Sequence, residues 1–201
     1  TFTGGFAHSV TTFGLTPRVF FHPDASPWPG GVHPWATVVT SMFMHGGFLH
    51  IGANMLYLWV FGRNVEDDFG HLRFLVFYLL SGIAATLGFA YAYPSSTVPL
   101  VGASGAIAGV LGAYFLRFPF SRIYTLFIIV IIIRIIPIHA FFVLGLWFFI
   151  QIGQCALACT TPLGAAGQSG IAFIAHIAGF VFGMIYTIWE LRRRYYAGRR
   201  R

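Results

Sequence analysis

Ser104, in Gly102-Ala103-Ser104-Gly105, heads an apolar stretch that runs to Arg117, and His176, in Ala175-His176-Ile177-Ala178-Gly179, stands inside another. The other residues of both stretches are almost all apolar or small. Polar groups at membrane depth are costly and mark function by default. A serine and a histidine placed in this way are the types required for a nucleophile and its general base. The acids of the chain are Asp24, Glu66, Asp67, Asp68 and Glu190, all outside the apolar stretches, so no carboxylate is available at depth to orient the histidine. What remains is a serine–histidine pair in which His176 serves first as base and then as acid. A neutral pair is also less costly to bury than one carrying a fixed charge. The oxyanion of an acyl-transfer step needs donors. The Ser104 backbone N–H at a helix start and the side chains of His50 and Asn54, one helical turn apart on one face, are the candidates.

The elements that must hold these groups are membrane helices. The 201-residue chain is 57% hydrophobic and 8% charged, against about 25% charged in a soluble domain. This composition describes an all-α polytopic membrane protein of one domain. All twelve basic residues are arginine, and the net charge of +7 owes most to the run at 192–201. Basic residues after a last span read as an anchor beside anionic lipid. Nucleic-acid binding is disfavoured, since no second basic surface exists.

Five apolar spans can be drawn, at 48–62, 72–93, 104–116, 138–157 and 170–189. The loops at 63–71 and 117–137, together with the tail, collect every arginine except Arg18 and Arg73, and Arg73 stands at the start of the second span, next to the first of these loops. That asymmetry places this side and the carboxy-terminal tail in the cytoplasm. The isoleucine-rich stretch 123–136 is interrupted by Arg134 and followed by Pro137, and is expected as an interfacial or re-entrant piece leading into the fourth span. Residues 1–47 are expected as an external loop region with a short surface helix near 35–44. They have no signal-peptide pattern, so a first transmembrane helix is expected upstream of this sequence. The transmembrane core is 48–191 and the basic cytoplasmic tail 192–201. Trp28, Trp35, Trp59, Trp147 and Trp189 are expected partly at interfaces, His45 as a structural loop residue, Glu66-Asp67-Asp68 as a solvated cap, and Cys155 with Cys159 as packed thiols.

Depth arithmetic brings the polar residues level. From Ser104 to Arg117, from His50 to Arg63 and from His176 to Glu190 a helix rises roughly 20 Å, against a hydrocarbon core of about 30 Å. The third helix is therefore too short to span, and its non-helical approach must be buried in protein or line water. Small-residue stripes show how the helices could meet. Gly105-x-x-x-Gly109 with Gly112 runs below the serine, and Ala175-x-x-x-Gly179-x-x-x-Gly183 surrounds and follows the histidine. Such stripes let backbones approach closely in a bilayer.

The missing residue types narrow the chemistry further. No His-Glu-x-x-His run exists for a zinc protease, and no aspartates lie in the spans for an aspartyl mechanism. No cofactor or metal is expected. With His45-Gly46-Gly47-Phe48-Leu49-His50-x-x-x-Asn54 upstream of Gly102-Ala103-Ser104-Gly105 and Ala175-His176-x-x-Gly179, the chain resembles the rhomboid intramembrane serine proteases. The likeness runs from about Phe13 to Gly183. It implies a six-helix core whose fourth helix begins at the serine, a Ser104–His176 dyad, and oxyanion assistance from His50 and Asn54. The implied reaction is hydrolysis of a peptide bond in or near the transmembrane segment of a membrane-protein substrate. A chain of this compactness without lysine suits the cytoplasmic membrane of a prokaryote. Some family members carry an aromatic one turn after the serine, against the histidine; here that position is Ala108. Inactive relatives keep the fold and lose the dyad, so the rival reading is a non-catalytic protein that binds transmembrane clients. A small transporter built on broken helices comes third.

Overall fold

The computed structural model describes residues 2–25, 32–129, 132–160 and 171–199. In chain order it contains the short helices α1 (Phe2–Phe13), α2 (Pro17–Phe21) and α3 (Pro34–Thr40). The helices α4 (Phe48–Tyr57) and α5 (Arg63–Phe69) follow, joined without a break by a π-helical turn at Leu58–Gly62. Next come α6 (His71–Ala92), α7 (Ser104–Arg117), the hairpin strands β1 (Arg122–Ile129) and β2 (Ile132–His139), α8 (Ala140–Thr160) and α9 (Ile171–Gly198). Among the described residues, segments of α6, α8 and α9 are each long and apolar enough to cross a membrane. The protein is a helical integral membrane protein.

α7 is the axis of the fold. It packs against both α6 and α9, which also meet each other, and every residue from Gly105 to Tyr114 is buried. A helix apolar on all sides belongs in an interior, and alanine and glycine leave it thin enough to be enclosed. α8 packs mainly on α9 and presents Phe142, Leu146 and Phe149 outward.

Several boundaries differ from the sequence reading. The stretch 63–71, drawn as a loop, continues the helix through α5 to Phe69 and turns at Gly70, whose φ of 83° is in the left-handed region. The basic tail does not leave the helix, because α9 runs on to Gly198. Its arginines find acids: Arg193 and Arg194 both bind Glu190, and Arg194 also reaches Asp68. Asp68 is therefore no solvated cap. It takes two hydrogen bonds from Arg117, at 2.6 and 2.8 Å, a bidentate fork that ties α5 to the end of α7, while Arg194 ties it to α9.

The segment 123–136, expected as an interfacial or re-entrant piece, lies in an antiparallel hairpin running from Arg122↔His139 to Ile129↔Ile132. β-branched isoleucine favours the strand, and Pro137 is tolerated because a two-stranded ribbon consists of edges. The base of the hairpin is fastened by His139 Nδ1–H donating to the Phe120 carbonyl and Ala140 N–H to Ser121, each at 2.8 Å. Residues 1–47, expected as an external loop, are instead largely α1, α2 and α3, with the described stretches anchored on the core. Leu15 is fully buried and bridges Leu100. Residues 26–31 of this region lie outside the described residues. So does the Cys159 side chain, and with it the expected pairing of Cys155 and Cys159.

Candidate active site

The approach to Ser104 is extended chain at depth, and two neighbouring backbones satisfy it. Leu100 exchanges backbone hydrogen bonds with Leu15, at 2.8 and 3.0 Å, and Gly102 N–H donates to Ser41 at 2.9 Å. Buried main-chain groups need such partners. Gly102 has φ of 121°, and a Cβ there would come 2.8 Å from Cε1 and 2.9 Å from Nε2 of His50. Only glycine fits that conformation and that contact. Two residues later the chain enters α7, so Ser104 stands at the helix start, where backbone N–H groups have no partner within the helix.

The small-residue stripes meet. A methyl group on Gly179 would fall on the Gly105 carbonyl oxygen, one on Gly183 on that of Gly109, and one on Gly112 on that of Phe180. Ala175 is buried at the head of the same contact. With α7 and α9 in backbone contact, Ser104 Oγ and His176 Nε2 lie 2.9 Å apart, within hydrogen-bond reach.

Both side chains face a cavity of about 320 Å³, also lined by His50, Asn54, Tyr57, Val101, Leu111 and Trp147. His50 Nδ1 accepts from Gly46 N–H at 3.1 Å, which leaves Nε2 as the protonated nitrogen of the neutral ring, beside Gly102. Asn54 is buried and spends one Nδ2–H on the His50 carbonyl at 2.8 Å, leaving a second for another acceptor. His45 stands edge-on to the His50 ring, with centroids 5.2 Å apart. The structure thus brings Ser104, His176, His50 and Asn54 around one space.

Two residues of the site were not assigned to it from the sequence. Gln151 of α8, 6% exposed, places Oε1 2.8 Å from His176 Nδ1. Trp147, one turn earlier and expected among the interfacial tryptophans, instead lies beside the His176 ring, with centroids 5.9 Å apart and planes tilted by 35°. Phe180 backs Trp147 at 6.0 Å. The aromatic beside the His176 ring therefore comes from α8, while the α7 position one turn after Ser104 is Ala108. Gln151 could have been found by the rule that selected Ser104, being a polar residue within an apolar span.

The rhomboid domain family matches residues 32–193, four-fifths of the chain and every side chain that lines the cavity. This chain belongs to the rhomboid family. Among relatives of this rhomboid, mitochondrial rhomboid protein 1 of Saccharomyces cerevisiae is 31% identical over 157 residues, covering 75% of this chain and 40% of the yeast protein. The mitochondrial presenilin-associated rhomboid-like protein of Bos taurus is 33% identical over 168 residues, covering 77% of this chain and 40% of its own length. The rhomboid protease GluP of Bacillus subtilis is 40% identical over 79 residues, covering 39% of this chain and 15% of the bacterial protein. This rhomboid spans about half or less of the length of the curated relatives it matches. No solved structure matches it significantly.

Proposed function

We propose that this rhomboid is an intramembrane serine endopeptidase that hydrolyses peptide bonds in or near transmembrane segments of membrane-protein substrates. The observation that carries the reading is the 2.9 Å approach of Ser104 Oγ to His176 Nε2 at the wall of a cavity between membrane helices. The name of GluP, a rhomboid protease, adds to it. In the reaction Ser104 Oγ bonds to the scissile carbonyl carbon as its proton passes to His176 Nε2. The same proton then goes to the leaving amine nitrogen as the C–N bond breaks, and water repeats the sequence on the acyl-enzyme. His50 Nε2–H, the second Asn54 amide hydrogen and the Ser104 backbone N–H are the donors proposed for the oxyanion.

Substrates of this site are membrane proteins whose helices unwind readily near small residues. The enzyme is proposed to work in the cytoplasmic membrane of a prokaryote, with its arginine-rich end in the cytoplasm and membrane lipids around it. The decisive experiment compares the wild type with Ser104→Ala and His176→Ala on a reporter transmembrane substrate in liposomes. Cleavage by the wild type alone is the expected result, with both variants down by at least about 10³-fold. Undiminished cleavage by Ser104→Ala would remove that residue from the mechanism. A wild type that captures the substrate without cutting it would identify a client-binding rhomboid instead.

A further inference from the structure

Among the described residues no carboxylate pairs with His176, and the α7 position one turn after Ser104 is Ala108, yet the other ring nitrogen of His176 is engaged. Gln151 Oε1 lies 2.8 Å from Nδ1, while Nε2 faces Ser104 Oγ at 2.9 Å. An amide oxygen accepts and cannot donate. The neutral ring that satisfies this contact carries its proton on Nδ1 and leaves Nε2 bare. That is the one tautomer able to take the serine proton.

We infer that Gln151 is a positioning residue for His176: its side-chain oxygen holds the imidazole in the Nδ1–H tautomer, doing with a neutral amide what a carboxylate does in a three-membered hydrolase site. The inference rests on the protease reading above. Gln151, 6% exposed, lies on the buried side of α8, the side that also carries Leu144 and Trp147 into the core. An amide at that depth is retained only with a partner. When Nε2 receives the serine proton, the Nδ1–H···Oε1 bond stays in place and becomes charge-assisted. It therefore strengthens as the reaction proceeds, which is how such a contact raises kcat rather than tightening binding. Trp147, four residues earlier, limits ring movement on the same side. The other groups with a titratable or hydroxyl function in the same cavity are Ser104 from α7 and His50 and Tyr57 from α4.

The test measures kcat, KM and the pH profile of the full chain in liposomes for Gln151→Leu and Gln151→Glu beside the wild type. Leucine keeps the bulk and deletes the acceptor. It is expected to lower kcat roughly 10- to 100-fold, as a displaced catalytic group does, with KM within about two-fold. Glutamate restores the acceptor and adds a charge that favours imidazolium. It is expected to recover most of the lost kcat while moving the acid limb of the profile to higher pH by about one unit. A kcat for Gln151→Leu within about two-fold of wild type would overturn the inference, as would an acid limb unmoved in Gln151→Glu. If Gln151→Leu fails to fold, the Gln151→Glu profile decides alone. A wild type without activity, or an active Ser104→Ala, defeats the protease reading and this inference with it. An active wild type and inactive Ser104→Ala beside an intact Gln151→Leu defeats this inference only.

Discussion

Gly102 is the residue on which the geometry of the site turns most sharply. It combines φ of 121° with a space that a Cβ would share with the His50 ring. Backbone strain of this kind costs on the order of 1–3 kcal/mol, and the ring must also move. Gly102→Ala is therefore expected to lower cleavage by at least about ten-fold, one displaced oxyanion donor costing about 10²–10³ at most. Reaction of Ser104 with a fluorophosphonate under the same conditions should fall in parallel. A variant of normal activity would show that His50 need not occupy its observed place. Asn54 is the milder case. Its amide is already tied to the His50 carbonyl, so Asn54→Ala removes a support of His50 and a candidate donor together. Its loss of kcat is expected to shrink when His50 is already replaced, because contacting groups are not additive.

At the scale of elements, the contact between α7 and α9 decides whether serine and histidine meet. Lipid tails are as apolar as leucine, so helices in a bilayer associate through close packing. Here the packing is backbone on backbone at Gly105–Gly179 and Gly109–Gly183. Gly183→Leu, well away from Ser104 and His176, is expected to push the helices apart, and overpacking of this kind costs typically 1–3 kcal/mol. Both the melting temperature in detergent and labelling of Ser104 should drop. A drop in stability with labelling unchanged would mean that the dyad is aligned by something other than this contact. α8 contributes differently, through two side chains on one face, Trp147 and Gln151, rather than through a stripe. Replacing Trp147 by Ala is expected to lower kcat less than Gln151→Leu, since it leaves the acceptor in place, and kinetics of the paired variants would measure the difference.

Over the whole molecule, the arginine-rich end is tied by charge. Asp68 and Glu190 gather Arg73, Arg117, Arg193 and Arg194 from α6, α7 and α9. Asp68 lies beyond the apolar part of its helix. Burial raises its carboxyl pKa, but the hydrogen bonds and charges of Arg117 and Arg194 outweigh that and hold it below its ordinary value of 3.8. A carboxyl depressed in the folded state stabilises the fold above its unfolded pKa and loses that contribution as pH falls through the folded value. The melting temperature is thus expected to decline on acidification below about pH 4. Asp68→Asn should be less stable at neutral pH by roughly 1–2 kcal/mol, discounted because the arginines are partly solvated. Its acid decline should also be shallower. Equal acid sensitivity in Asp68→Asn would assign the decline to other groups.

Composition, charge asymmetry and the isolated polar residues were legible along the chain because each is a local property. So were the late start of α7, which follows from Ser104 to Arg117 at a fixed rise per residue, and the small-residue stripes, which repeat at helical spacing. The sequence by itself therefore determined the membrane class and the residues that could perform hydrolysis. Only the tertiary structure decided which side chains support them. Gln151 reaches His176 across 25 residues, and Trp147 stands beside the same ring. Both depend on how α8 is rotated against α9, and no periodicity within α8 records that rotation. The hairpin at 122–139 and the helical continuation of the basic tail were hidden for the same reason. A run of isoleucines suits strand or span until its partner is known, and arginines stay helical where acids from other segments, such as Asp68, come to meet them.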